Sequence, residues 1–297
     1  YNHPIVGVGI LWRQGYTRQT ISEDGRPVDC YPRNDYMYDY LEDTGVKVSV
    51  RIRKEEVFCK VWKLDKYENT PLYLLDTNLE ENENKWITGQ LYGWFEEERI
   101  AQEIVLGIGG VKALRELGVE PDIYHFNEGH AVLAGTELIK EKRANDTSFE
   151  PVLEKTRDEI VFTTHTPIEQ GNEEHDLRVM EYMNAFNGLS GEEMIEIGGD
   201  PFNMTVAGLK LSRAANGVSQ LHGETASEMW SHVDDKPEIK GITNGIHRKT
   251  WVDSELAGAR VKEDIWRRHI DLKGYLIDQI KNRTGVELDK TKLIIGF

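Results

Sequence analysis

The first third of the chain alternates apolar and polar residues with a period of two. Between residues 46 and 52, valine and isoleucine take every second position, with lysine, serine and arginine between them. This pattern is typical of a strand with one buried face and one solvated face. Residues 57–64 continue it, and the run PLYLLD at 71–76 predicts a more buried strand. Turn-forming residues separate these runs, so residues 1–95 are predicted to be a β-rich hairpin or meander region.

From about residue 96 the hydrophobic period lengthens, and isoleucine recurs at every fourth position. This spacing predicts an amphipathic helix over residues 97–117. The run GIGG at Gly107–Gly110 lies inside this helical period, and no strand precedes it. The glycines therefore favour close helix packing over a nucleotide-binding loop.

The rest of the chain alternates short strand-like and helix-like segments. Strands are predicted at residues 122–126, 159–165, 217–222 and 238–244, a loop at 166–176, and helices at 129–143, 203–215, from Glu224 onward, and at about 261–283. Such alternation predicts an α/β fold with a Rossmann-like, mostly parallel sheet over residues 96–290.

Four of the predicted strand ends carry clusters of polar residues. The clusters are HFNEGH at 125–130, TTHT at 163–166, LHGE at 221–224 and TNGIH at 243–247. In an open parallel sheet, ligands bind beyond the carboxyl ends of the strands. Together the clusters predict a binding site, although each alone is weak evidence.

Each cluster also has a plainer interpretation. His130 can be a helix-start histidine bonded to nearby backbone, a sugar-hydroxyl ligand, or a metal ligand together with His125 and Glu128. The two histidines are five positions apart, which is not the spacing of a zinc helix, so no metal site is predicted. The dipeptide Asn244–Gly245 can be a tight turn, and His165 can be a structural histidine.

Charge and composition exclude some classes of partner. The 297 residues include 36 Lys+Arg and 52 Asp+Glu, a formal net charge of −16. Such acidity argues against nucleic acid and anionic membranes as partners. No apolar run approaches the ~20 residues of a membrane helix, and the opening residues lack a signal-peptide pattern. Two cysteines, Cys30 and Cys59, cannot form a disulfide framework, so a cytoplasmic location is expected.

The last residues, KLIIGF, contain the apolar run Leu293–Ile295. A buried strand that stops without a turn usually continues into further structure. We therefore expect the chain to be a portion of a longer protein.

Several long motifs resemble the α-glucan phosphorylases, which act on glycogen, starch or maltodextrin. The motifs are HFNEGHAVLAGTELI, VFTTHTPIEQGNEEHD, NMTVAGLKLSRAANGVSQLHGETASEMW and ITNGIHRKTW. The shorter prokaryotic type is the closer match, through QEIVLGIGGVKALRELG and HFNEGH, and the opening GVGILWRQGYTRQ resembles the family's early strand. The resemblance runs in the family's order over essentially the whole chain.

The resemblance implies one half of a GT-B-like, two-domain glycosyltransferase. Orthophosphate would cleave a terminal α-1,4-glucosyl unit with retention, giving α-glucose 1-phosphate. Pyridoxal phosphate would sit on a lysine of a C-terminal domain outside this chain, so no cofactor-binding residue is expected here. Residues 1–297 would be a portion of the N-terminal catalytic domain, with the second domain starting at 291–297. The isolated chain is then expected to be inactive, and a homodimer is compatible with the family.

The resemblance also assigns site residues. His165 matches the histidine that attends the glucosyl unit in the cleavage site, and it is the predicted catalytic residue. Asn244 matches the asparagine that hydrogen-bonds the glucose 6-hydroxyl. Neutral donors and acceptors of this kind suit an uncharged sugar and an oxocarbenium-like transition state. The other predicted substrate-binding residues are Asn127, which would orient its neighbours, Glu128, His130 and Thr166.

Some positions depart from the family. The loop after Tyr92 reads Gly93-Trp94-Phe95-Glu96 where relatives usually carry small and acidic or amide residues, so no role is carried over there. Aromatic side chains that could stack on sugar faces are Trp12, Tyr92, Trp94 and Phe95. Gly25-Arg26-Pro27 replaces the Gly-Trp-Gln of relatives in a hairpin that we do not connect with the chemistry.

Two alternatives stay open. A non-catalytic glucan-binding module would keep these motifs as a sugar-binding surface. A glycogen or starch synthase has a similar fold and loose counterparts of FTTHT, ANGVS and ITNGI, but the HFNEGH motif favours a phosphorylase.

Overall fold

A computed structural model describes residues 3–34, 40–67, 69–93, 95–143 and 148–295. The chain divides into two compact units, Tyr1–Thr243 and Asn244–Phe297. The first unit contains both of the larger sheets, and the second is helical.

The N-terminal region of the first unit is β-rich, as predicted. Its strands are β1 Gly7–Ile10, β2 Arg18–Ile21, β3 Pro27–Cys30, β4 Glu42–Ile52, β5 Glu55–Leu64 and β6 Leu72–Asp76. Strands β1, β6, β5 and β4 lie side by side in that order, and β2 and β3 form a separate hairpin. The predicted alternation is confirmed in β4, where Val48, Val50 and Ile52 are buried while the residues between them are not.

The helical segment that follows runs continuously from residue 96 to residue 116. It consists of α1 Glu96–Ile104, a π-helical turn Val105–Gly109, and α2 Gly110–Glu116. The predicted extent is confirmed, but the change to π-helical hydrogen bonding was not predicted. A Cβ on Gly107 would lie 2.6 Å from the backbone nitrogen of Ala134, which confirms that this glycine run serves close packing.

The remainder of the first unit is an α/β domain. In chain order its elements are β7 Tyr124–Asn127, α3 Ala134–Lys142, α4 Phe149–Arg157, β8 Ile160–Thr164, β9 Glu174–His175, α5 Leu177–Met183, α6 Gly191–Gly198, β10 Phe202–Asn203, α7 Met204–Lys210, β11 Ala214–Gly217, α8 Gln220–Met229 and β12 Ile239–Gly241. Strands β7, β8, β11 and β12 form a parallel sheet in that order. The predicted Rossmann-like, mostly parallel sheet is therefore confirmed.

Two predicted elements differ from the structure. The strand predicted at 217–222 is wrong, because β11 occupies Ala214–Gly217 and helix α8 follows at once. The Ser219 hydroxyl accepts a hydrogen bond from the His222 amide at 3.0 Å and so starts that helix. The helix predicted at 203–215 ends at Lys210, since the residues after Arg213 pair with β8 instead.

Sequence reasoning missed helices α4, α5 and α6 and the short pair β9–β10. Helix α6 could have been predicted from the sequence, because Ser190 and Glu193 have the spacing of a capping box, which they form at its start. Strand β9 lies within the stretch predicted as a loop and pairs antiparallel with β10.

One continuous hydrophobic core joins both larger sheets of the first unit. Its buried residues extend from Ile10 on β1 to Ile239 on β12, and Phe162 and Trp230 are among the largest fully buried side chains. The parallel strands, whose carboxyl ends carry the predicted site residues, are packed into this core.

The second unit consists of α9 Arg248–Trp251, α10 Ser254–Gly258 and α11 Lys262–Thr284. Helix α11 confirms the helix predicted at 261–283. The strand expected at Leu293–Ile295 is absent: the described residues there pair with no strand, and Leu293 and Ile295 are exposed. Among the described residues, no helix combines the length and apolar character needed to cross a membrane.

Candidate functional site

The ends of strands β7 and β8 bring two predicted site residues together. Asn127 is the last residue of β7, and His165 follows the last residue of β8. The Nε2 atom of His165 lies 2.6 Å from the Asn127 side-chain oxygen. Because an amide oxygen only accepts, Nε2 of His165 carries the proton. Asn127 thus orients His165, and its role toward Glu128 and His130 stays a prediction.

Glu128 uses its carboxylate to hold the loop after β8. Its Oε1 atom accepts hydrogen bonds from the backbone amide of His165, the amide of Thr166 at 2.9 Å and the Thr166 hydroxyl at 3.2 Å. Its Oε2 atom lies 3.4 Å from the Gly129 amide. The predicted residues Glu128 and Thr166 are therefore brought to His165, where the carboxylate fixes the loop.

His130 contacts a charged pair that sequence reasoning did not identify. Its Nδ1 atom lies 3.0 Å from Nη2 of Arg99 on helix α1. Arg99 also binds Glu173 through two hydrogen bonds, of 2.6 Å and 2.9 Å. Burial and then the Arg99 charge lower the pKa of His130. Burial and the guanidinium therefore both disfavour a second proton on this histidine.

A second chain of hydrogen bonds crosses three strands of the parallel sheet. His125 Nε2 lies 2.7 Å from the Thr163 hydroxyl, which donates to the Asn216 side-chain oxygen at 2.8 Å. The Thr163 hydroxyl has only one proton to give, so His125 is the donor. Burial, with a smaller contribution from His165, lowers the pKa of His125.

A buried acid–base pair lies behind Arg99. Glu103 Oε2 is 2.9 Å from His175 Nε2, and the two residues are 1% and 3% exposed. Burial raises the pKa of Glu103 to about 7, against the opposing effect of His175. Burial disfavours charge on His175 as well, but the hydrogen bond to Glu103 and the surrounding carboxylates outweigh it and raise the pKa of His175. The pair therefore keeps a shared proton near neutrality.

A cavity of about 300 Å³ opens between the two sheets of the first unit. This volume is at the lower end of the range for small-molecule sites, about 300–1,000 Å³. Its walls come from strand β1, the turn after Leu91, helix α1 and the end of β7. The side chains that carry the chemistry there are Trp12, Tyr92, Arg99, His125, Asn127 and His130.

The electrostatics of this cavity suit an uncharged ligand. The Arg99 guanidinium is committed to Glu173, and both histidines that line the wall have lowered pKa values. The Tyr92 ring lies 5.2 Å from the Arg99 guanidinium carbon, and its hydroxyl is 3.0 Å from that of Tyr16. The wall thus combines aromatic surface with hydrogen-bonding groups, and its arginine is already paired with a carboxylate, an arrangement that suits a sugar.

The structure does not bring every predicted residue to this cavity. Asn244 belongs to the second compact unit, and its role stays a prediction. Phe95 is exposed and does not line the cavity, and Trp94 lies outside the described residues. In the cluster at 221–224, His222 is buried and accepts the Val218 amide at 3.1 Å, which is a structural role.

The described residues contain one trio that could ligate a metal, namely Glu103, Glu173 and His175. Arg99 already supplies positive charge to the two carboxylates, at 2.6 Å from Glu173 and 3.7 Å from Glu103. A metal would have to compete with this guanidinium. The absence of a metal therefore stays a prediction.

No protein-family model matches the chain. Several curated relatives align with most of it. An uncharacterized protein of Methanocaldococcus jannaschii is 37% identical over 99% of this chain. A maltodextrin phosphorylase of Thermococcus litoralis is 31% identical over 99% of it, and a glycogen phosphorylase of Mycobacterium tuberculosis is 35% identical over 89%. The chain is homologous to part of the glycogen and maltodextrin phosphorylases.

The alignments cover 56%, 42% and 36% of these relatives, so the chain spans about half of their length or less. The resemblance read from the motifs is thus confirmed over nearly the whole chain. A glycogen synthase of Vibrio cholerae is more distant, 28% identical over 62% of the chain and 37% of its own length.

Proposed function

We propose that this chain is the glucan-binding portion of an α-1,4-glucan phosphorylase. The complete protein would use orthophosphate to release α-glucose 1-phosphate, with retention, from the end of glycogen, starch or maltodextrin. The supporting observation is the aromatic-lined cavity at the end of β7, in a chain homologous to the phosphorylases.

In this proposal the cavity and the adjacent loop hold the terminal glucosyl unit. Asn127 and His130 line the cavity, and His165 is held beside it by Asn127 and Glu128. His165 would contact the reacting sugar through its fixed imidazole and its backbone. Developing positive charge on the sugar ring is stabilised by dipoles that are already oriented. The hydrogen bonds from His165 to Asn127 and Glu128 supply that orientation.

Pyridoxal phosphate, which the resemblance implies for the complete protein, does not fit this cavity. Its aldehyde requires a lysine amine, and the described lining includes no lysine. Its phosphate requires cationic groups, whereas Arg99 is already bound to Glu173. A phosphorylase built with this chain would hold the cofactor in another part of the protein, so the isolated chain is proposed to be inactive.

The first experiment is a titration of the chain with maltoheptaose, followed by NMR. We expect binding in the millimolar range, because only one side of a cleft is offered, with shifts concentrated at Asn127 and His130. His130→Ala should weaken binding roughly tenfold, as expected for one lost hydrogen bond with its packing. His232→Ala is the control, since His232 is exposed and does not line the cavity.

Activity assays separate the proposal from its alternatives. The full-length protein should release glucose 1-phosphate from maltoheptaose and orthophosphate, whereas this chain alone should not. Submicromolar binding by the chain, without turnover by the full-length protein, would favour a glucan-binding module. Transfer from ADP-glucose or UDP-glucose would instead identify a synthase. A cytoplasmic location and a homodimeric state stay part of the proposal.

A further inference from the structure

Arg99 is placed between the cavity and the buried acid–base pair. Its Nη2 atom is 2.9 Å from Glu173 Oε2 and 3.0 Å from His130 Nδ1, so its two protons are divided between a carboxylate and a histidine. Its Nε atom is 2.6 Å from Glu173 Oε1. The guanidinium is therefore held in one orientation by three contacts.

These contacts determine where His130 carries its proton. A guanidinium donates hydrogen bonds and accepts none, so Nδ1 of His130 must be the acceptor. A neutral imidazole that accepts at Nδ1 carries its proton on Nε2. Within the described part of the chain, no group bonds Nε2, and His130 lines the cavity.

We propose that Arg99 is a positioning residue that fixes His130 as the neutral Nε2–H tautomer and makes it a permanent donor to a ligand oxygen in the cavity. The tautomer follows from contacts within this chain. The identity of the ligand, a sugar hydroxyl oxygen, rests on the proposed function.

The charged groups around His130 are consistent with a ring that does not take up a second proton. Arg99 opposes protonation, and the carboxylates that would favour it are engaged elsewhere: Glu173 with Arg99, and Glu128 with the loop after β8. Burial and the Arg99 charge together lower the pKa of His130. The other titratable groups near the ring or on the cavity wall are Tyr92, Glu103, His125 and His165.

Glu173 has a matching role in this arrangement. Burial opposes its ionisation, but the hydrogen bonds from Arg99 outweigh burial and lower its pKa. An ionised Glu173 keeps Arg99 in place, and Arg99 keeps His130 neutral. The cavity then offers a neutral N–H donor at Nε2, which suits a ligand without charge.

The test is nitrogen NMR of the histidine rings in the intact chain, with His130 assigned by comparison with His130→Gln. We expect one protonated nitrogen at Nε2 and one bare nitrogen at Nδ1, with the second proton taken up at a lower pH than by a free histidine, which titrates between about pH 5 and about pH 8. A proton on Nδ1, or a doubly protonated ring at about pH 6, overturns the proposal. This readout requires neither a sugar nor a variant that alters Arg99.

Arg99→Lys supplies the second measurement. A single ammonium cannot hold both oxygens of Glu173 and also donate to His130 in the same geometry. His130 should then titrate within this pH range, and maltoheptaose should bind roughly tenfold more weakly. The matched control is Arg115→Lys, which changes another two-bond arginine–carboxylate pair, with Glu141, outside the cavity. An Arg99→Lys chain in which His130 behaves as before contradicts the proposal.

Addition of maltoheptaose distinguishes this proposal from the proposed function. A shift of the His130 Nε2 resonance together with that of Asn127 supports both. A shift at Asn127 with none at His130 overturns the donor role alone. Maltoheptaose that moves neither residue, with the tautomer as expected, contradicts sugar binding by this cavity and leaves the assignment to Arg99 standing.

Discussion

At the scale of single residues, Glu128 shows why a side chain is kept at an unfavourable backbone position. Its φ angle is 69°, in the left-handed region that favours glycine. Glycine would relieve the backbone but could not supply the carboxylate that the amides of His165 and Thr166 share. The position of the loop after β8 thus depends on an acidic residue at the end of β7.

Glu103 and His175 make stability depend on pH. Folding raises the pKa of both, that of Glu103 to about 7, so near neutrality the folded chain binds more protons than the unfolded chain. This stabilisation is complete below the ordinary glutamate pKa and is lost as the pH rises through about 7. We expect the free energy of unfolding to fall by up to about 1.4 kcal/mol per pH unit for one proton in that range.

Urea unfolding at a series of pH values measures this dependence. Glu103→Gln removes the titrating carboxyl but keeps a side-chain oxygen that accepts from His175, so its stability should vary less with pH. Glu141→Gln, at a half-exposed surface pair, should keep the full dependence. If the free energy of unfolding varies with pH equally in the Glu103→Gln and unsubstituted chains, the Glu103–His175 pair is not the source of the pH dependence.

At the scale of elements, Gly107 in the π-helical turn between α1 and α2 lets the chain pass close to the start of α3. A Cβ on Gly107 would meet backbone atoms of Leu133 and Ala134 at 2.8 Å and 2.6 Å. Backbone cannot move aside as a flexible side chain can. Gly107→Ala should therefore destabilise the chain by ~3 kcal/mol, the upper part of the range for overpacking.

Gly110→Ala is the comparison, measured in the same thermal and urea unfolding experiments. Its Cβ would meet only a methyl group of Val8, at 3.1 Å, and alanine gains up to about 1 kcal/mol of helix propensity over glycine. Its stability should change by less than about 1 kcal/mol. Equal losses for the two variants would mean that helix geometry, and not the contact with α3, requires the glycines.

The elements also show what the sequence could and could not predict. Sequence reasoning predicted the alternation in β4, the long α1–α2 segment and the parallel sheet. Each of these follows from the spacing of apolar residues along a short stretch of chain. The boundary at β11 was not predicted, because pairing with β8 overrides the helical pattern that runs into it. Helix α6 was missed although its capping box was present in the sequence.

The same distinction holds for the candidate site. Parallel strands end at one edge, so the meeting of Asn127 and His165 followed from the order of the strands. The contact of Arg99 with Glu173 did not, because 74 positions separate them. Only the spacing of Arg99 and Glu103, one helical turn apart, hinted that this face of α1 carries charge.

At the scale of the whole molecule, the two compact units differ in how much core they contain. The hydrophobic core runs from Ile10 to Ile239, within the first unit. A unit with its own core can fold alone. A chain that ends at Thr243 should therefore keep its free energy of unfolding to within about 2 kcal/mol, out of the ~5–15 kcal/mol typical of a folded protein.

Urea unfolding followed by near-ultraviolet circular dichroism tests this, because the aromatic signal reports fixed packing around side chains such as Trp230. A shorter chain that ends at Met229 is the control: it lacks β12 and Trp230, which is 1% exposed in the core. That chain should lose cooperative unfolding. If the chain that ends at Thr243 loses it as well, the first unit depends on Asn244–Phe297 for its stability, and the cavity must then be studied with both units present.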